Sequence, residues 1–521
     1  MKLDVAIYLL RGDESALSVA EDHLIELGYY ELPTLGGIEL ATSMVLLAKQ
    51  HDEKDPDWVK WCTGVFETAD APKSASVGAV LLLVSEGRVF AVTFGTGWNG
   101  LPRDLVEPDF GVRVAMQLVS PDRLRSLVTK SVNLRSSEKD VYNHAGSELA
   151  QFPLDPESEW LRQTGGRVDG SQGFVAVRGT NSVRLVSYTK PVLSLPATCA
   201  YLLDKHDKEV PEAFQFYKHL RPLSKYDQKH RDLEEALASR LTAGQFDDVT
   251  VVLDRAKAAA AAMRQLKHGH ASYGLSDVVD SEVWAGVADF AANVSEFELS
   301  KVRLLLKDAD GKRVTNDPIL RFVHAQITDA DGTWIRMDGG WFRATSDYVA
   351  RVESQLKLEI DDLTATLGMP AWHVGGNPTE LRYNTSAATR KGWLLQDQKN
   401  IHVGNQSIEP CDLLTPDAHF IHLKNAEDSQ HVGALVGQLR GAAYMMKHHD
   451  DFRQTMRQRY ADHTGVDDLL EKRSSFVLGL ARKPHLDVYG RMLVAKINIP
   501  DCGRRVRALG YDFGVCKVDR T

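Results

Sequence analysis

The sequence predicts a multidomain α/β (α+β) protein whose C-terminal part runs helix, three strands, helix, strand. Three observations carry this. The chain has 521 residues, more than one ordinary hydrophobic core organises, so several domains are expected. Its apolar fraction of 43% and charged fraction of 26% are those of a globular chain. Segments with period-two and helical patterning alternate along its length.

Residues 1–10 read as a first strand. Asp4 interrupts the apolar run, and Arg11-Gly12-Asp13-Glu14 follows without a small-residue cleavage site, so a leader is not expected. A helix is expected over 15–27. Runs 77–84 and 89–94, joined by Glu86-Gly87, form a hairpin. Ser120 and Pro121 mark a helix start as N-cap and first position. The run 174–177 pairs with 183–188, and the alanine-rich 256–266 favours a helix. Asp308-Ala309-Asp310-Gly311 and Asp329-Ala330-Asp331-Gly332 resemble the start of a calcium loop. Position twelve holds Ile319 and Gly340 instead of glutamate, so both are turns. The domain boundaries drawn are 1–135 for an N-terminal α/β domain, 136–340 for a middle α+β region, and 341–521 for the last domain.

In that last domain 380–390 forms a helix, and 393–395, 408–414 and 420–424 are three strands. A long helix over 430–460 carries Val432, Leu435, Val436, Leu439, Ala443 and Met446 on one face. Runs 475–480 and 492–499 are read as strands.

Chemistry concentrates here. Asp412 and Lys424 lie twelve residues apart with the turn Thr415-Pro416-Asp417 between them, which puts an acid and a lysine on neighbouring strands. An acid so placed suits a divalent cation, Mg2+ or Mn2+. A lysine so placed orients water and balances phosphate charge. Net charge is −9, yet residues 371–521 hold 21 Lys/Arg against 17 Asp/Glu, so the half with the site is the basic half. Arg504, Arg505, Arg507 and Arg440 are the chosen nucleic-acid contacts. The basic stretch 218–231 is read as a solvated face.

Other chemistries find no support. Five scattered cysteines without C-x-x-C spacing give neither a disulfide framework nor a zinc site, and fit a reducing cytoplasm. No apolar run reaches bilayer length, so no membrane partner is expected. There is no G-x-S-x-G, Walker lysine loop or H-E-x-x-H, and no histidine pair at helical spacing has a partnering acid. Gly95-Thr96-Gly97-Trp98-Asn99-Gly100 matches G-x-G-x-x-G. Trp98 within it and Leu101-Pro102 after it leave no helix start for a dinucleotide, so it is a glycine loop between strands.

The element order of the last domain resembles the αβββαβ core of the PD-(D/E)XK nuclease superfamily. In that superfamily the first helix often gives an acid, the second strand an aspartate and the third strand (D/E)-x-K. Glu380, Asp412 and Lys424 fall on those elements in that order. The resemblance implies Lys424, Asp412 and Gln438 as catalytic residues and Asp412, Glu380 and His422 as metal ligands. Gln438 and Tyr444 resemble a glutamine and tyrosine that some exonuclease-like members use, at a spacing two residues longer. His422 departs from the pattern by standing where the superfamily has Asp or Glu. Imidazole binds Mn2+ but suits Mg2+ poorly. Glu409 is the replacement acid if Pro410 marks a bulge that turns it inward.

The whole chain also resembles a sporadically distributed bacterial family of unknown function. Phe90–Gly97 and Asp109–Val114 carry the match early in the chain, and Asp338-Gly339-Gly340-Trp341-Phe342 and Glu380-Leu381-Arg382-Tyr383-Asn384 carry it later, with 408–414 and 420–424. The patchy distribution of that family implies anti-phage or mobile-element defence. After Lys424 the family's serine- and histidine-rich run is replaced by Ser429-Gln430-His431-Val432-Gly433, although Gln438 is kept. The expectation is a cytoplasmic metal-dependent nuclease acting on DNA ahead of RNA, with a phage or host protein as trigger and self-association into a homo-oligomer. The other expectation is a catalytically degenerate nucleic-acid-binding or phage-sensing protein of the same fold.

Overall fold

The computed structural model describes residues 2–34, 42–52, 76–131, 138–147, 159–246, 248–253, 260–276, 278, 280–294, 297–337, 339–375, 379–404, 406–425, 429–459, 474–485, 487–489 and 492–521. The architecture is mixed α+β, with several sheets.

Leu3–Leu9 alternates Val5, Ile7 and Leu9 into the core, as period-two patterning requires. It lies at the centre of a ten-stranded sheet, between Arg88–Gly95 and Val183–Tyr188. Every pairing in this sheet is antiparallel, which makes the N-terminal region α+β rather than the α/β unit expected. The sheet continues through residue 188, past position 135. The expected hairpin is present, and Glu86 and Gly87 adopt φ of +51° and +69°, the left-handed pair of a tight two-residue turn.

Phe110–Leu118 is a helix. Its approach to the sheet needs two glycines. A Cβ on Gly111 would stand 1.9 Å from the Ser182 carbonyl oxygen, and one on Gly179 would stand 1.9 Å from the Gly111 oxygen. Pro121 opens only one 3-10 turn, Pro121–Arg123, before the strand Leu124–Ser131. Residues 256–259 of the expected alanine-rich helix lie outside the described residues. Met263–His268 beyond them is a strand, paired on both sides, so tertiary pairing overrides local helix propensity.

The middle region holds a five-stranded and a four-stranded antiparallel sheet. Both D-x-D-G segments are turns. Asp308 and Asp329 cap them by accepting backbone N–H groups of residues 310 and 331 at 3.1 and 2.9 Å.

The last domain is built on a six-stranded sheet in the order Asp361–Asp362, Asp512–Asp519, Ser475–Arg482, His419–Asn425, Leu413–Leu414, Leu394–Leu395. The first four run parallel and the last three form an antiparallel meander. Alternation sends Phe420, Phe476, Leu478 and Leu480 to one face, against the helices Ser429–His448 and Leu493–Ala508. It sends Ile421, Leu423, Val477 and Ala481 to the other, against Tyr383, Ala387 and Ala388 of the helix Glu380–Lys391. Run 492–499, read as a strand, belongs to the helix Leu493–Ala508. An apolar run buried at all but one position has little period to distinguish the two states. The single long helix expected over 430–460 is two, broken at His449.

Candidate metal centre

The helix Glu380–Lys391 begins where the Thr379 hydroxyl accepts the Arg382 N–H, and ends at Gly392, whose φ of +67° takes the chain out of the helix. Glu380 and Asn384 are four residues apart and therefore share one face. Both reach the same place. The Lys424 ammonium lies 2.5 Å from the Glu380 carboxylate, and Asn384 Nδ2 donates to Asp397 at 2.8 Å.

The strand Leu394–Leu395 pairs with Leu413–Leu414, and the chain then folds over its partner. Gln396 and Asp397 both donate their N–H groups to the Asp412 carbonyl, at 2.8 and 3.1 Å. Gln398 follows at φ +62° and donates its N–H to the Glu409 carboxylate. The expected strand over 408–414 is interrupted at Glu409–Asp412, where Pro410 has no N–H to give a ladder. Asp412 is fixed from the other side. Its N–H donates to the Ile421 carbonyl at 2.9 Å, and its Oδ2 accepts the Leu423 N–H at 2.6 Å.

These bonds gather Asp397, Glu409 and Asp412 so that one carboxylate oxygen from each lies within 4.8 Å of the others. Asp397 and Asp412 are buried and Glu409 is half-buried. Burial pushes the Asp412 carboxyl well above the usual carboxylate range, and the neighbouring Glu409 charge adds to it. Burial also raises Glu409, against the Gln398 hydrogen bond. At Lys424, burial opposes the charge, but the Glu380 carboxylate outweighs it, and the ammonium is held above its ordinary value.

His422 follows Ile421, the strand partner of Leu413, but is not part of the acid group. It is fully buried beside Phe476, which pushes its pKa down to about 3, and its Nε2 has no hydrogen-bond partner. Glu380 serves Lys424 rather than joining the three acids. Gln438 is exposed, nine residues into the helix after Lys424 and so roughly 13 Å along it. Arg504 and Arg507 are tied to Glu359, Arg507 through the backbone carbonyl, and Arg440 and Arg505 to Asp501. All four arginines sit in the helix layer across the sheet from Glu380–Lys391. Asp397 and Asn384 were missed as site residues, because fifteen residues separate Asp397 from Asp412 and only backbone folding joins them.

The donor set fits a hard divalent cation. Three carboxylates supply oxygen ligands of the kind Mg2+ and Mn2+ prefer. The raised protonation of Asp412 and Glu409 is the repulsion that a cation relieves, and Asn384 Oδ1, buried beside the acid group, has no hydrogen-bond partner. A pH dependence follows. Asp412 binds a proton more tightly folded than unfolded, where it titrates near 3.9. Its contribution to the stability of the cation-free protein is therefore greatest at low pH and declines as pH rises from about 4 through the folded value. Melting curves in EDTA between pH 4 and 7, wild type minus Asp412→Asn, should show that decline, and Mn2+ should reverse it. A difference that grows with pH contradicts the assignment.

No helix among the described residues is long and apolar enough to cross a membrane. A family model described as a family of unknown function, DUF6119, matches residues 5–519, so the chain belongs to that family. No curated protein and no solved structure matches it.

Proposed function

We propose that the C-terminal domain of this DUF6119 member is a PD-(D/E)XK-like metal-dependent nuclease that hydrolyses phosphodiester bonds of DNA or RNA. The observation that carries the reading is the convergence of Asp397, Glu409 and Asp412 beside the Lys424–Glu380 pair, at the meander of an αβββαβ arrangement. Asp397, Glu409 and Asp412 would hold Mg2+ or Mn2+. The cation, when bound, supplies a Lewis acid and a more acidic water. Lys424 sets a fixed positive charge where negative charge grows on the phosphate oxygens, in a site that is partly withdrawn from water. Glu380 keeps that ammonium charged and in place. Asn384 orients Asp397. Glu409 supplies the carboxylate that His422 does not, which accounts for a neutral imidazole at that strand position. Action in anti-phage or mobile-element defence fits a nuclease of this kind and is part of the proposal.

A second reading rests on His422 and on the neutralisation of Lys424 by Glu380. It is a catalytically degenerate protein that binds nucleic acid or senses a phage component without cutting. One assay separates the two. Purified full-length protein is incubated with plasmid DNA and with total RNA, in Mg2+, Mn2+ or EDTA. Cleavage that requires the metal supports the nuclease and names its polymer. Salt-dependent nucleic-acid binding with no cleavage in either metal supports the degenerate reading.

A further inference from the structure

A cavity of about 460 Å3 lies between the helix Glu380–Lys391 and the end of the last sheet. Thr385 and Thr389 line it from the helix, Trp393 and Leu395 from the end strand and its approach, and Leu414 from the next strand. Three of these walls run into the acid group. Thr385 follows Asn384, the hydrogen-bond partner of Asp397. Leu395 comes two residues before Asp397, and Leu414 two residues after Asp412. Two residues of extended chain span about 7 Å. No residue of the wall carries a charge. The Thr385 and Thr389 hydroxyls donate to the helix carbonyls of Leu381 and Thr385 at 2.8 and 2.9 Å, so each oxygen keeps a lone pair as an acceptor. Trp393 is half-buried and held twice. Its N–H donates to the Ala388 carbonyl at 3.0 Å, and the Lys391 ammonium lies over its ring at 5.6 Å.

We propose that this cavity seats one unpaired base of the strand whose phosphate lies at the acid group, which makes single-stranded nucleic acid the substrate class. The inference rests on the nuclease reading for the place of that phosphate. Continuity and chemistry set the occupant. A strand held at the acid group reaches the cavity within one or two nucleotides, at about 3.4 Å or more each. Its phosphates are charged and stay in water. An uncharged wall with an aromatic ring and hydroxyl acceptors takes the flat, uncharged base, and stacking on such a ring tolerates any sequence. The volume falls within the range of about 300–1,000 Å3 usual for small-molecule sites. A base inside a duplex is stacked on both sides and cannot enter unless it is extruded.

The test is fluorescence anisotropy of the full-length protein in Ca2+, a cation that carboxylates also hold, beside cleavage in Mn2+. The probes are a short labelled single-stranded DNA, the RNA of the same sequence, that DNA annealed to its complement, and a DNA strand made of abasic sites. An intact single strand, DNA or RNA, should bind about tenfold more tightly than the duplex and than the abasic strand. Trp393→Ala should weaken the intact strand by about tenfold and leave the abasic strand unchanged, and Trp393→Phe should restore most of the loss. General damage to the domain would weaken both strands alike. Base-dependent binding without cleavage supports the seat and sinks the nuclease reading. Cleavage with equal binding of intact and abasic strands by the wild type overturns the seat and leaves the nuclease standing. Equal binding of duplex and single strand, or no binding of any single strand, also overturns the seat. The abasic comparison uses the wild type, so it decides the matter even where Trp393→Ala does not fold.

Discussion

Asp412→Asn is expected to lower metal-dependent cleavage by about 10²–10³-fold, the scale of losing one charge-stabilising group in a reactive site. It should do so while leaving the cation-free fold at least as stable as wild type. The two effects have one cause. Asp412 is buried against Glu409, and its ionised form is disfavoured until a cation arrives. An amide of the same shape removes that repulsion and keeps an oxygen for the Leu423 N–H. Cleavage rate, Mn2+ affinity by calorimetry and melting temperature in EDTA check the prediction together. A variant that cuts at the wild-type rate, or one that no longer folds, shows that Asp412 has another role. Ordinary core damage lowers activity and stability together, so the opposite signs are the diagnostic feature.

The second large effect is structural. Phe476→Ala should cost about 3–5 kcal/mol, the range for truncating a buried aromatic side chain. Phe476 is fully buried at the centre of the parallel strands. Its ring lies 5.1 Å from Phe420, 5.1 Å from Tyr511 and 6.4 Å from His422. The void would open directly beside the strand that carries Lys424, so loss of stability and loss of any Lys424-dependent activity should appear together. Denaturant unfolding measures the first. A cost below about 1 kcal/mol would mean that the neighbouring helices collapse into the space.

Much of this site is visible in the sequence, because it rests on short-range pattern. Asp412 and Lys424 are joined by a turn, and Glu380 begins a helix with a recognisable threonine cap. What escapes notice depends on long-range folding. Nothing near Asp397 marks it, and its place is set by two backbone bonds to the Asp412 carbonyl. Glu409 was named as the alternative acid, conditional on a break at Pro410, and the strand is interrupted there. Five of the ten strands in the N-terminal sheet were also legible one by one: the first, the two of the 77–94 hairpin and the two ending at Tyr188. Their antiparallel order was not, since pairing partners such as Leu3–Leu9 and Val183–Tyr188 lie far apart in the chain. Run 492–499 misleads for a different reason. All its residues but Lys496 are buried, so hydrophobic patterning carries little information about secondary structure.

The strand Asp512–Asp519 lies inside the last sheet, hydrogen-bonded on one edge to Ser475–Arg482 and on the other to Asp361–Asp362. On a ribosome this order matters. Asp361–Asp362 leaves the exit tunnel roughly 150 residues before its partner, a wait of about 8–30 s at about 5–20 residues per second. Throughout that interval the sheet that carries Lys424 lacks the strand joining Asp361–Asp362 to Ser475–Arg482. A chemistry hazardous to the cell making it would thus stay unassembled on nascent and prematurely terminated chains.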